Sequence, residues 1–136
     1  MSNTRFATAI HILTLLARQP GEWLNSDYIA GSIQVNPVIV RRELIILNEA
    51  GLVISKKGKE GGVQLAKPSS KISLAAIYHA VKNTEVLGKK NLNPNSQCPV
   101  GRQINDRLTQ LFLETDYLVS NALTKKTLAD FGKQFK

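Results

Sequence analysis

The sequence predicts a mainly α-helical fold with one small β-hairpin, and three observations carry that prediction. Apolar residues recur at helical spacing before Gly51 and again after Pro99. The Asn-Pro pair at positions 36 and 37 marks a sharp helix start. Between positions 53 and 66 the segment VISKKGKEGGVQLA sets three lysines among three glycines, with period-two apolar runs at either end.

The first helix is expected from about Asn3 to Arg18. Phe6, Ile10, Leu13 and Ala17 recur along one face, and Ile12, Leu15 and Leu16 widen the stripe, so the helix should be buried on more than one side. Pro20 and Gly21 break it, and Asn25 or Ser26 can cap a short second helix through Ile29 and Ile33. The third helix starts at Pro37, where a missing N–H costs nothing and the Asn36 side chain can accept an orphan backbone donor. Its inner face is read as Val40, Leu44 and Leu47, and it closes at Gly51, which tolerates the left-handed conformation. About two residues separate the second and third helices, the spacing of a helix-turn-helix.

The runs LVIS and GVQLA form the hairpin. Gly58, Gly61 and Gly62 permit positive φ in its loop, Lys56, Lys57 and Lys59 splay outward, and Pro68 ends the second strand. Ser73 caps a fourth helix with Ala76, Ile77 and Val81 inward. Residues 84–98 lack periodicity and gather Asn, Pro, Gly and Lys, so they are a loop of a length that is usually functional or disordered. Pro99 then opens a long helix to about Leu123, whose seam of Ile104, Leu108, Leu111, Leu118 and Ala122 calls for a partner helix. Thr127 and Asp130 form a capping signature for a short last helix. The expected organisation is a winged helix-turn-helix domain over 1–83, a sensor or linker loop over 84–98, and a long dimerisation helix with a short C-terminal helix over 99–136.

With 136 residues, 43% of them hydrophobic, the chain suits one globular core. No apolar run approaches the roughly 18–20 residues of a membrane span, and the N-terminus lacks the pattern of a cleaved signal. A cytoplasmic protein without membrane contact is expected. A single cysteine excludes an intramolecular disulfide framework and a metal site built only from thiolates. The net charge of +8 favours polyanions, but each half of the chain carries nine basic and five acidic residues. Location must therefore carry the argument.

Asn36, Val38, Arg41 and Arg42 lie at the N-terminal end and outer side of the third helix, the part that enters a major groove in this motif. An arginine there can reach guanine O6 and N7, a contact worth about 1–3 kcal/mol of discrimination. Lys56, Lys57 and Lys59 suit contacts to phosphates, which add affinity without reading sequence. The glycines lack the spacing of a nucleotide-binding loop. No catalytic constellation emerges, since His11 and His79 sit in helical stretches without a local acid, and neither a metal nor another cofactor is expected. Cys98 stands at a helix N-terminus, where the helix field favours the thiolate, and is a candidate thiol sensor. The alternative for it is a half-buried cysteine that simply packs.

The run NPVIVRRELIILNEAGLVISKKGKEGGVQLAK, the opening RFATAIHILTLLA and the closing TLADF together resemble the Rrf-two family of bacterial winged-helix regulators. The most specific piece is the wing pattern of Gly58, Gly61, Gly62, Leu65 and Ala66. The resemblance implies a homodimer held by the long helix, bound as a repressor to a near-palindromic operator in double-stranded DNA. It also implies base or groove contacts from Asn36, Val38 and Arg41, and wing contacts from Lys57, Lys59 and the neighbouring glycine backbone at Gly61. Two departures stand out: Lys57 and Val63 replace the arginine and aromatic residue of many members, and Cys98 stands alone where cluster-binding members place three cysteines. The chain thus resembles a cluster-free branch, whose signals are a small molecule, a partner protein or thiol oxidation, and the sequence leaves open which. A different class of function, a winged helix docking onto an acidic protein partner, is the rival expectation.

Overall fold

The computed structural model describes residues 4–83 and 85–135, so the helix start expected at Asn3 lies outside the described residues. The elements follow in the order α1 (Arg5–Arg18), α2 (Ser26–Ile33), α3 (Pro37–Glu49), β1 (Val53–Lys56), β2 (Gly62–Leu65), α4 (Leu74–Val81), α5 (Pro99–Thr124) and α6 (Leu128–Gly132). A single 3-10 turn, Ser69–Lys71, joins β2 to α4.

Local chemistry sets most of these boundaries. Asn25, not Ser26, caps α2 by accepting the Tyr28 N–H, and Asn36 caps α3 by accepting the Val38 N–H at 2.9 Å. Ser73 does the same for α4 through Ala76, and Thr127 and Asp130 form a reciprocal capping box at α6. Gly51 closes α3 with φ of 76°. The connection from α2 to α3 is one residue longer than the sequence suggests, comprising Gln34, Val35 and Asn36. Gln34 turns the chain there with φ of 63°, a left-handed conformation that nothing in its residue type announces.

The core gathers around α1, whose Ala9, Ile12 and Leu13 are fully buried. Ile29, Val40, Leu47, Leu52, Ile72, Ile77 and Leu128 close over it from α2, α3, α4, α6 and the segments that lead into β1 and α4. Two expected inner faces need correction. In α4 the buried alanine is Ala75, with Ala76 only half-buried, because Leu74 and Ala75 both turn inward at the start of the helix. In α3 the buried face is Val40, Glu43 and Leu47, while Leu44 is only half-buried. The carboxylate is tolerated because the Arg5 Nε donates to its Oε1 at 3.0 Å, joining the start of α1 to the middle of α3. Its second oxygen, Oε2, is buried without a hydrogen-bond partner.

The hairpin pairs Val53 with Leu65 and Lys56 with Gly62 in antiparallel register. A third segment joins it: Leu24 and Val63 exchange N–H donors to each other's carbonyls at 3.1 and 2.9 Å. This backbone approach requires glycine at position 62. Its φ is 150°, and a Cβ there would stand 2.5 Å from the Leu24 carbonyl oxygen.

The Arg5–Glu43 pair makes a defined prediction. Arg5→Met should destabilise the protein by about 1–3 kcal/mol, because it leaves a buried carboxylate without its donor. Adding Glu43→Leu should restore most of that loss, as measured by urea unfolding of the three variants.

Candidate nucleic-acid interface

With Val40, Glu43 and Leu47 turned inward, helical geometry turns Val38, Arg41, Arg42 and Ile45 outward. Val38 is 48% exposed and Ile45 60% exposed. Ile45 is the residue that sequence reasoning passes over. Its spacing of seven from Val38 places the two on one stripe, but an apolar residue between core positions reads as core until the packing is known.

The outer side of α3 and the wing border a common groove of about 540 Å³, lined by Arg41, Ile45, Asn48 and Glu49 on the helix and by Ser55 and Val63 on the hairpin. Asn48 Nδ2 donates to Ser55 Oγ at 3.4 Å between its two sides. The placement of each expected contact residue is specific. Asn36 uses its Oδ1 in the helix cap, so its side-chain amide is what it has to offer a ligand. Arg41 leans toward α2, where its Nη1 donates to Ser26 Oγ at 3.3 Å, tying the first residue of one helix to the second turn of the next. Arg42 is exposed on the same helix.

On the wing, Lys57 and Lys59 are exposed as expected. Lys56 differs. Its ammonium lies 5.7 Å from the centroid of the Trp23 ring, a cation–π contact that folds the side chain back toward the segment of Leu24. Gly61 is held close beneath it, since a Cβ there would meet the Lys56 carbonyl oxygen at 2.0 Å.

The long helix shows two faces. Phe112 is its one buried residue among those described, and Asp116 and Ser120 continue that side toward α4. Ser120 Oγ meets His79 Nε2 at 2.8 Å, and Asp116 accepts from Lys82 Nζ at 3.1 Å and from the Val86 N–H at 2.9 Å. Burial pushes the Asp116 pKa up, but the Val86 N–H and the Lys82 ammonium together hold it below the usual carboxylate range. The anionic carboxylate therefore clamps the start of the 84–98 loop onto α5. Of the expected seam, Leu111 and Leu118 stand 47% and 67% exposed, Ala122 is exposed, and Ile104 and Leu108 are half-buried.

The far end of the loop is fastened as well. Asn105 Nδ2 donates to the Asn91 carbonyl at 2.8 Å, Lys90 donates to Thr109, and a Cβ on Gly101 would meet the Asn95 carbonyl oxygen at 2.4 Å. Cys98 occupies the N-cap position of α5 without a side-chain capping hydrogen bond and is exposed, which is not the packed, half-buried cysteine of the alternative reading. Hydrogen bonding from the Gly101 and Val100 backbone N–H groups lowers its pKa.

A helix-turn-helix whose recognition side shares a groove with a lysine-tipped wing defines the class of winged-helix DNA-binding regulators. Comparison with known proteins agrees. Residues 2–134 match the Rrf2 family, described as an iron-dependent transcriptional regulator. The chain belongs to the Rrf2 family of transcriptional regulators. It is 39% identical over 130 residues to YwnA of Bacillus subtilis strain 168, a candidate HTH-type transcriptional regulator, with 96% of each chain covered. The HTH-type transcriptional regulator NsrR of Oceanobacillus iheyensis is 28% identical over 115 residues, covering 80% of this chain and 78% of that one. Among solved structures, a candidate DNA-binding protein superposes with a TM-score of 0.74 at 35% identity, covering 93% of this chain and 97% of the other. CymR, the global cysteine regulator of B. subtilis, superposes with a TM-score of 0.73 over all of this chain and 98% of its own, and at 18% identity it speaks for the fold alone.

The iron in the family's description does not fit this donor set. The loop offers one exposed thiol, and among the described residues no three His, Cys, Asp or Glu side chains converge as ligands.

The Cys98 environment predicts a shifted reactivity. Because the backbone N–H groups stabilise the thiolate, alkylation by iodoacetamide should reach half its maximal rate at a lower pH than for cysteine in an unstructured peptide run alongside. An equal midpoint would show that the two N–H groups do not hold the thiolate in solution.

Proposed function

We propose that this protein is a cytoplasmic, homodimeric repressor that occupies a near-palindromic operator. The observation that carries this reading is the groove between the outer side of α3, which bears Arg41, and the strands whose connecting loop bears Lys57 and Lys59, an arrangement that suits one duplex meeting both. Asn36, Val38, Arg41 and Arg42 enter the major groove, and Arg41 reads guanine after exchanging its Ser26 contact for the base edge. Lys57 and Lys59 bind phosphates, with Lys56 and the Gly61 backbone shaping the wing beneath them. Val38 and Ile45 supply apolar surface of the kind that meets thymine methyl groups. The exposed Leu111, Leu118 and Ala122, with Ile104 and Leu108, form the seam for a second copy, and the symmetry of the dimer sets the symmetry of the operator.

Cys98 is the part of this reading that responds to oxidants. A peroxide would oxidise the exposed thiolate to sulfenic acid, the peroxide O–O bond breaking and one oxygen leaving as water, and the loop clamped on α5 would transmit the change to the dimer.

An operator recovered from a random duplex pool provides the test. In mobility shifts, Arg41→Ala should lose about tenfold on the operator and little on scrambled duplex. Lys57→Ala with Lys59→Ala should weaken both duplexes alike and flatten the salt dependence. Failure to enrich any duplex, together with weak heparin retention, would instead favour docking to an acidic protein.

A second measurement addresses the apolar stripe. Replacing thymine by uracil in the operator removes only the methyl group, so at one or more positions it should weaken the wild type by a few-fold and leave Ile45→Ala unaffected. A uracil effect of equal size in both proteins removes Ile45 from the interface.

A further inference from the structure

At the base of the wing, the turn from α1 to α2 and the end of β2 border a groove of about 430 Å³. This is the size of a small-molecule site. Leu16, Ala17, Pro20, Leu65 and Pro68 make much of its wall apolar. Gln64 Nε2 donates to the Gly21 carbonyl at 2.8 Å, tying the strand to the turn. Backbone groups along β2 face alternate sides: the Ala66 N–H reaches Leu52, while Val63 exchanges hydrogen bonds with Leu24 on the other side. Leu65 therefore turns its N–H and carbonyl to the Leu24 side, where neither has a backbone partner among the described residues. Glu22 and Lys67 are the charged residues in the wall, one of each sign, and both are exposed. Among the described residues neither takes part in an ion pair, with the other or with any third group.

We propose that this groove binds a free α-amino acid with an apolar side chain. Such a molecule carries one charge of each sign, and the wall offers Glu22 to its ammonium and Lys67 to its carboxylate. The Leu65 N–H supplies a further donor for the carboxylate. The apolar side chain lies against Leu16, Ala17 and Leu65, where it leaves water. Two exposed side chains of opposite charge gain little by pairing with each other. A ligand that satisfies both and also buries apolar surface therefore displaces only water from them. The occupant touches the turn that leads into the helix-turn-helix and a strand of the wing together. It deepens the regulator reading by naming a class of effector, and rests on that reading for this role alone. The binding itself is read without DNA, so its failure is separable from a failure of operator recognition.

The experiment is a titration of the whole protein with L-leucine, L-methionine and L-phenylalanine, followed by isotope-edited NMR of the Leu16, Ala17 and Leu65 methyl groups. At least one amino acid should bind saturably and shift those methyls. Its carboxamide, which lacks the anion, and its N-acetyl derivative, which lacks the cation, should each bind about fivefold or more weakly. Lys67→Gln should erase the preference over the carboxamide, and Glu22→Gln the preference over the N-acetyl derivative. Both positions are exposed, so both variants should fold, as circular dichroism would confirm. No shift of those methyls with any of the three at about 10 mM would overturn the proposal, since such a site should hold at least one of them in the millimolar range. So would binding that fails to distinguish the amino acid from either derivative, or a preference that its matching variant leaves intact. If the amino acid and its N-acetyl derivative bind alike while Lys67→Gln weakens both, the groove takes a plain carboxylate and the proposal falls.

Discussion

The inward commitment of Val40, Glu43 and Leu47 is the constraint from which the working surface follows. A helix has one rotation about its axis, and burying these three residues fixes it for α3. Two of the three are held by the apolar core, and the third is held by the Arg5 guanidinium. An ion pair in this position adds little net stability, because removing two charges from water offsets much of their attraction. Its effect is to allow one rotation and oppose others, since any turn of the helix would separate a buried carboxylate from its donor. Val38, Arg41, Arg42 and Ile45 are exposed as a direct consequence.

The wing depends on a second constraint of the same kind. A two-stranded hairpin is marginal by itself, and this one is anchored by Leu24 through a pair of backbone hydrogen bonds to Val63. Glycine at position 62 makes that approach sterically feasible, and the Lys56–Trp23 contact adds a side-chain tie between the same two segments. The tip can therefore be glycine-rich and charged without the strands slipping, because register is held at the base of the hairpin rather than in its loop.

The C-terminal part follows a different logic. Helix α5 uses Phe112, Asp116 and Ser120 to fasten itself to α4 and to the loop before it, while the neighbouring face keeps Leu111 and Leu118 in solvent. Asp116 and Asn105 hold the loop at two separate points, so Cys98 sits at the end of a segment with defined geometry although it contains almost no regular structure. The same arrangement explains why iron ligation is unsuited to this chain. The loop is shaped by hydrogen bonds to the helix and carries one thiol, not a converging set of donors.

Local chemistry made much of this legible. Asn36 with Pro37, Ser73, and Thr127 with Asp130 announce helix starts because a cap is a contact between residues two or three positions apart. The hairpin and the helix-turn-helix order were readable for the same reason. What stayed hidden were facts about distant partners. Glu43 is charged and reads as surface until Arg5, thirty-eight positions away, is seen beside it. The backbone bridge at Leu24, the fold-back of Lys56 onto Trp23, the exposure of Ile45 and the inner face at Phe112 are likewise set by neighbours remote in sequence. The sequence by itself determined which elements form and in what order, since propensity and capping act over a few residues. Only the tertiary structure decided which side of each element faces solvent and which charges are held within the fold, because those depend on what the rest of the chain places against them.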